Sequence, residues 1–267
     1  MPKTSWQPSL LIYLTLAIHV TALLVLITTP QHWRWVLASL IANHLLLTMV
    51  GLWPRSTWLG KNWTQLPDAA IARNEIALTI DDGPDPEVTP QVLDILARYS
   101  VHATFFCIGD VAQRYPELCR DIIKRGHTIE NHSQRHHHNF SLMGIKDLTQ
   151  EIQAAQTTLT GITGQPPLFF RAPAGLRNPF LDPVLHKLGL QLASWSVRAF
   201  DTRVGDADKV ARALIQGLHA GAIVLLHDAH AARTDTGEPV ILKVLPDVIE
   251  AALAAQLRFV TLRQACS

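Results

Sequence analysis

Ile76-Ala77-Leu78-Thr79-Ile80-Asp81-Asp82-Gly83-Pro84 is the stretch from which the rest of the chain is read. An apolar run with the composition of a buried strand stops abruptly at two adjacent carboxylates and a Gly-Pro breaker. Two neighbouring carboxylates repel, so one of them is neutralised by a proton, a cation or a metal. Asp, Gly and Pro are also ordinary turn formers, and taken alone the same residues make a solvated turn. What lies around the stretch separates the two readings.

Downstream, strand-like and helix-like runs alternate. Strands are expected at 103–108, 127–130, 168–170, 190–197, 222–226 and 259–262. A helix starting at Thr89-Pro90 has Pro at its first position and an apolar face from Val92, Leu93, Ile95 and Leu96. Further helices are expected at 110–124, closed by Gly126, at 182–188, stopped by Gly189, at 206–219, ended by Gly221, and at 240–257. Ile145, Leu148, Ile152, Ala155 and Leu159 mark another by their spacing. About seven strand–helix units imply a parallel sheet, closed into a barrel or open and doubly wound. Asp81-Asp82, Asn131-His132, Arg171, the stretch up to Asp201, and His227-Asp228 each follow the C-terminal end of an expected strand. That is where loops converge into an active site in parallel α/β folds.

Asn131-His132-Ser133-Gln134-Arg135-His136 adds imidazoles to the carboxylates. Two histidines four apart point the same way if the turn is helical, although a lone His-x-x-x-His is usually incidental. Joined to Asp81-Asp82 one strand end away, two His and one Asp make a facial triad for Zn²⁺ or an Fe²⁺-like ion, open to water and substrate. Spacing favours His132 and His136 as ligands, with His137 and His138 outside the set.

The 267 residues carry a net charge of +1 and no basic stripe, so a nucleic-acid partner is excluded. Cys107, Cys119 and Cys266 have no framework spacing and read as reduced core residues. The apolar excess is concentrated at the N-terminus. Residues 10–27 are long enough for a transmembrane helix, and 36–52 form a second, weaker span with Asn43 and His44 near its middle. Trp6, Trp33, Trp35, Trp53, Trp58 and Trp63 cluster at the ends of these runs, where indoles favour the membrane boundary. The expected organisation is a membrane hairpin at 1–55, a linker at 56–73 and a soluble domain at 74–267, in the inner (cytoplasmic) membrane. Lys3, Arg55 and Lys61 on one side, against Arg34 alone on the other, put the domain on the cytoplasmic face.

With these motifs assembled, the chain resembles the polysaccharide deacetylases with a NodB homology domain, carbohydrate esterase family 4, over about residues 70–265. Thr79-Ile80-Asp81-Asp82-Gly83-Pro84, His132-Ser133-x-x-His136, Arg171-Ala172-Pro173-Ala174-Gly175, Asp201 and Leu225-Leu226-His227 are similar to its five motifs in order. The resemblance implies a distorted (β/α)7-type barrel and one divalent metal, Zn before Co, Fe, Ni or Mn, on Asp82, His132 and His136. It implies Asp81 as the base, His227 as the acid, Arg171 paired with Asp81 and Asp201 orienting His227. Ala174 would donate its backbone N–H to the oxyanion, and Leu225 would line the acyl-methyl pocket.

Three departures alter the expected groove: Ala174 stands where an aromatic is usual, Arg198 where an acidic residue is common, and Thr202 where Trp is common. Loss of stacking surface argues against long glycans. Arg198 and Arg177 could meet an anionic group such as phosphate. The leading expectation is a membrane-anchored deacetylase or deformylase of an N-acylated amino sugar carried on a polyprenyl phosphate. The alternatives are a deacetylase of envelope polysaccharide outside the inner membrane and an inactive sugar-binding protein.

Overall fold

The computed structural model describes residues 5–266. Two helices, α1 (Leu10–Thr28) and α2 (Trp33–Gly51), run antiparallel on either side of a single turn at Pro30–His32. Most of their large apolar side chains are exposed, and both are long and apolar enough to cross a membrane by length and composition. Polar side chains meet between them: the Thr15 hydroxyl donates to Asn43 Oδ1 at 3.1 Å, and the His19 and His44 rings lie edge to face. Trp33, Trp35, Trp53 and Trp58 are exposed. Trp6 and Trp63 depart from the boundary pattern. The Trp6 indole donates to Asp182 at 2.7 Å, and Trp63 packs edge-on against Phe169 in the domain interior.

The domain is an open half-barrel of parallel strands: β1 (Glu75–Asp81), β2 (Thr104–Cys107), β3 (Thr128–Asn131), β4 (Phe169–Phe170), β5 (Gln191–Leu192), β6 (Val197–Arg198), β7 (Ile223–His227) and β8 (Arg258–Phe259). Their order is β5-β4-β3-β2-β1-β7-β6, with β8 pairing the start of β1. β1 is central, and all seven of its residues are buried. Burial on both faces is why it reads as a continuous apolar run. Leu78 and Ile80 face outward with Phe105, Val224 and Leu226 into a core shared with the helices Val88–Arg98, Ala207–Gln216 and Val240–Ala254. Ala77 faces inward with Phe106, Phe169, Trp195, Ile223 and Leu225. Thr79 and Asp81 continue that inward row.

Three elements differ from the sequence expectation. The 110–124 helix is two, Gly109–Arg114 and Pro116–Lys124, because Pro116 has no N–H to extend the first. The 190–197 strand is broken into β5 and β6 by Ser194–Ser196, where the backbone leaves the ladder. The helix after β1 begins at Val88, so Pro90 is its third residue. Cys107 and Cys119 are buried, whereas Cys266 is exposed near the chain end; all three are free thiols.

Residues 51–66 lie against the domain. Trp63 forms a parallel bridge with Ala193, exchanging hydrogen bonds with Leu192 O and Ser194 N beside the gap between β5 and β6. Gly51 O accepts from the Arg177 N–H at 3.1 Å, and the backbones approach so closely that any Cβ at residue 51 would collide with the Arg177 carbonyl. Gly175 has a left-handed φ of +72, and a Cβ there would meet Pro54 and the Trp195 ring at 2.6 Å.

Candidate active site

The polar residues at the strand ends converge inside the mouth of the half-barrel. Asp81 ends β1 with its side chain inward, and Asp82 follows with φ 75, which turns the chain out of the strand. Thr79, two residues back on the inner face, donates its hydroxyl to Val224 O.

Arg171 is the largest fully buried side chain. It follows β4, and its guanidinium crosses the interior to Asp81: Nη1 donates to Asp81 Oδ1 at 2.7 Å and to the Thr79 hydroxyl at 2.8 Å. Nε donates to Ala193 O at 3.2 Å and Nη2 to Ser194 O at 2.6 Å. The guanidinium also lies 4.1 Å over the Phe106 ring. Burial pushes its pKa down, opposed by Asp81. A guanidinium remains charged under such conditions, so the planar fork fixes the Asp81 carboxylate.

His132, Asp82 and His136 form the second group, their ligand atoms all within 4.8 Å of one another. The His132–His136 segment is not helical. Ser133 and His136 both adopt left-handed φ values, and Asn131 Oδ1 accepts from Ser133 N to hold the loop. His132 Nδ1 lies 2.8 Å from Arg171 O, so Nδ1–H donates there and Nε2 is left to face the carboxylates, as a donor to Asp82 when protonated and as a lone pair for a cation when not. Nε2 is 3.3 Å from Asp82 Oδ1 and 3.8 Å from Asp81 Oδ2, while His136 Nε2 is 3.4 Å from Asp82 Oδ1. Burial pushes the Asp82 carboxyl up, but hydrogen bonds from His132 and His230 outweigh it and hold the group well below the usual carboxylate range. Burial and the neighbouring His132 lower His136 to about 4, which keeps that imidazole neutral. Burial opposes charge on His132, yet the two carboxylates raise its pKa. The place between Asp81 and Asp82 therefore draws positive charge, and one carboxylate with two imidazole nitrogens is a donor set that fits a divalent cation of the zinc class.

The third group follows β6 and β7. Asp201 Oδ2 accepts from His227 N at 2.7 Å, and Oδ1 lies 3.0 Å from His227 Nδ1. Burial would lower the His227 pKa, but the Asp201 hydrogen bond and charge raise it. Asp228 beside it is buried and pushed up to about 7 by desolvation, with Thr89 and Ala229 N as donors. Ala174 is exposed at the mouth with φ 53 in the short turn Pro173–Gly175. Leu225 is buried on the inner wall beside Phe106 and Trp195.

The family model described as polysaccharide deacetylase matches residues 69–193. A peptidoglycan-N-acetylglucosamine deacetylase of Bacillus cereus is 35% identical over 182 residues, covering 67% of this chain and 84% of the relative. The chain belongs to the polysaccharide deacetylase family. It is thus a hydrolase of carbon–nitrogen bonds other than peptide bonds. A chitooligosaccharide deacetylase of Azorhizobium caulinodans is 37% identical over 163 residues, 60% of this chain and 77% of that one. Among solved structures, a peptidoglycan N-acetylglucosamine deacetylase in complex with an N-hydroxybenzamide superposes with a TM-score of 0.69 at 27% identity, covering 76% and 92% of the two chains.

Two residues stand apart from the sequence expectation. His230, which no motif marks, brings Nδ1 to 3.5 Å from Asp82 Oδ2 from an exposed position. Its signal was its place three residues after His227 in one loop. Arg177 does not face the groove: it is buried, donates from Nη2 to Ser56 O, and is lowered to about 10 by desolvation.

Proposed function

We propose that this chain is a metal-dependent N-deacylase of N-acetylated or N-formylated amino-sugar glycans, the glycan class named for its relatives. The observation that carries this is His132 Nε2 facing Asp81 and Asp82 while its Nδ1 is tied to Arg171 O. Asp82, His132 and His136 would hold one divalent ion, zinc foremost. When bound, that ion supplies Lewis acidity to the acyl carbonyl and to the attacking water.

The chain's own residues supply the proton transfers. Asp81, with one oxygen held by Arg171, takes a proton from the water as its oxygen attacks the acyl carbon. The Ala174 N–H donates to the developing oxyanion. His227 gives its proton to the sugar nitrogen as the C–N bond breaks, because an amine does not leave as an anion. Asp201 keeps that imidazole protonated and oriented, and Leu225 packs on the acyl methyl. The products are a carboxylate and a free amino sugar. Incubation of the zinc-loaded chain with N-acetylated peptidoglycan fragments and chitooligosaccharides, followed by mass spectrometry, tests this. Loss of acetyl groups that stops on chelation supports it, and no loss from any glycan refutes it.

A second reading makes the substrate a sugar on a polyprenyl phosphate. It is favoured by the docking of Gly51 and Pro54 on the loop that carries Ala174, which sets the mouth at the foot of the hairpin. Residues 1–55 then anchor the enzyme in the inner membrane, 56–73 join it to the domain, and Lys3, Arg55 and Lys61 place the domain on the cytoplasmic side. A reporter fused after Arg73 separates the cases. Activity confined to the cytoplasm supports the lipid-linked substrate, whereas activity outside it assigns the enzyme to envelope polysaccharide.

A further inference from the structure

Arg198 sits on β6 in register with Leu225, one strand from His227, with its side chain on the inner face. Its guanidinium lies 5.1 Å from the Trp195 ring centroid and 4.8 Å from that of Phe200. Two rings so placed hold a planar cation in one orientation. Nε is buried and has no hydrogen-bond partner.

The nearby carboxylates are already engaged. Asp81 is taken by Arg171, and Asp201 by the backbone and ring of His227. Among the described residues no carboxylate pairs with Arg198. Its charge reaches Arg171, where it adds to the lowering caused first by burial. A half-buried guanidinium that repels a second one is costly unless an anion meets it. Arg55 adds a cation at the same rim, its Nη1 donating to Ser196 O at 3.3 Å. Phe200 is itself exposed, so the stack opens toward the mouth.

Resting on the deacylase reading above, we propose that Arg198 is a specificity-determining residue that binds an oxyanion carried by the substrate close to the N-acyl sugar. A guanidinium presents a fork of N–H donors that matches the oxygens of a phosphate or a carboxylate. The two sources of such an anion are a sugar phosphate, as on a lipid carrier, and a carboxylate, as on an acidic sugar.

The test measures binding to the full-length, zinc-loaded Asp81→Asn chain by calorimetry, so that turnover is not needed. The ligands are N-acetylglucosamine, N-acetylglucosamine 1-phosphate and N-acetylmuramic acid, each measured with and without Arg198→Gln. The expected result is that one or both anionic sugars bind about 10-fold or more tightly than the neutral one, from charge-assisted hydrogen bonds. Arg198→Gln should erase that preference and Arg198→Lys restore part of it. Phosphate preference identifies a sugar phosphate, and carboxylate preference an acidic sugar. An anionic-to-neutral ratio that Arg198→Gln leaves unchanged overturns the proposal, since the metal centre then holds the anion. So does failure of every sugar to bind. Acyl loss by the chain with Asp81 intact is read separately on neutral chitooligosaccharides, so the deacylase reading fails only if that is absent.

Discussion

Replacing Arg171 by Met removes a fully buried cation that crosses the interior. Four acceptors lose their donor: Asp81 Oδ1, the Thr79 hydroxyl, Ala193 O and Ser194 O. A buried carboxylate left without its partner costs about 3–5 kcal/mol. Each orphaned carbonyl adds about 1–3 kcal/mol unless water reaches it. The Thr79 hydroxyl keeps its bond to Val224 O and adds little. The carboxylate and the two carbonyls together cost about 5–11 kcal/mol, comparable with the whole ordinary stability of a domain. At about 2–4 °C per kcal/mol for a domain of this size, the melting temperature falls by at least about 10 °C. The assay is thermal unfolding of the full chain in detergent by circular dichroism, with chelator throughout so that altered metal affinity does not mimic the effect. Adding Asp81→Asn removes the stranded charge. The double variant should therefore recover about 2–4 kcal/mol relative to Arg171→Met, a coupling that distant sites do not show. A single variant that melts within about 3 °C of the parent, or a strictly additive cycle, would refute the reasoning.

Asp201→Asn should lower the His227 pKa, because the Asp201 hydrogen bond and charge are what raise it; the alkaline limb of the kcat profile then moves to lower pH, and an unmoved limb counts against His227 as the acid. Chelation should abolish activity and a divalent ion restore it, with Asp82→Ala or His132→Ala failing to retain about one metal per chain by elemental analysis. His127 is buried, accepts from Ala103 N through Nδ1, and has its pKa lowered by desolvation to about 4. Its contribution to stability is full above the unfolded value of about 6.5 and is lost as pH falls through the window to about 4, by up to about 3 kcal/mol. Denaturant unfolding at pH 7 and pH 4.5 should accordingly show a smaller acid loss in His127→Gln than in the parent. Gly175→Ala should cost about 1–3 kcal/mol, since φ +72 is left-handed and Pro54 and Trp195 occupy the added methyl's place.

Much of the domain was legible in the sequence where one residue type has one physical use. The buried run at 76–80 had to be a strand covered on both faces, and Asp81 and Asp82 had to sit at its end. His132, Arg171, Asp201 and His227 were legible because each follows a strand and matches a motif; their meeting inside one mouth is a property of the parallel topology. The break at Pro116 carried its own signal, overridden by the helical periodicity on both sides. Other features had none. Trp63 looked like a membrane anchor because tryptophans cluster there, and only tertiary packing takes it into the gap beside Ala193. Arg177 looked like a groove cation, yet the backbone of Gly51 and Ser56 claims it. His230 reaches Asp82 through a left-handed loop residue that no periodicity announces.

The most direct test of the account is acetate release by the zinc-reconstituted full chain from N-acetylated glycans in ¹⁸O-labelled water, with Asp81→Asn in parallel. The account predicts one labelled oxygen in each acetate, one new amine per acetate, and a fall of about 10²-fold or more on Asp81→Asn. Acetate without label, or a rate that Asp81→Asn leaves unchanged, would contradict it.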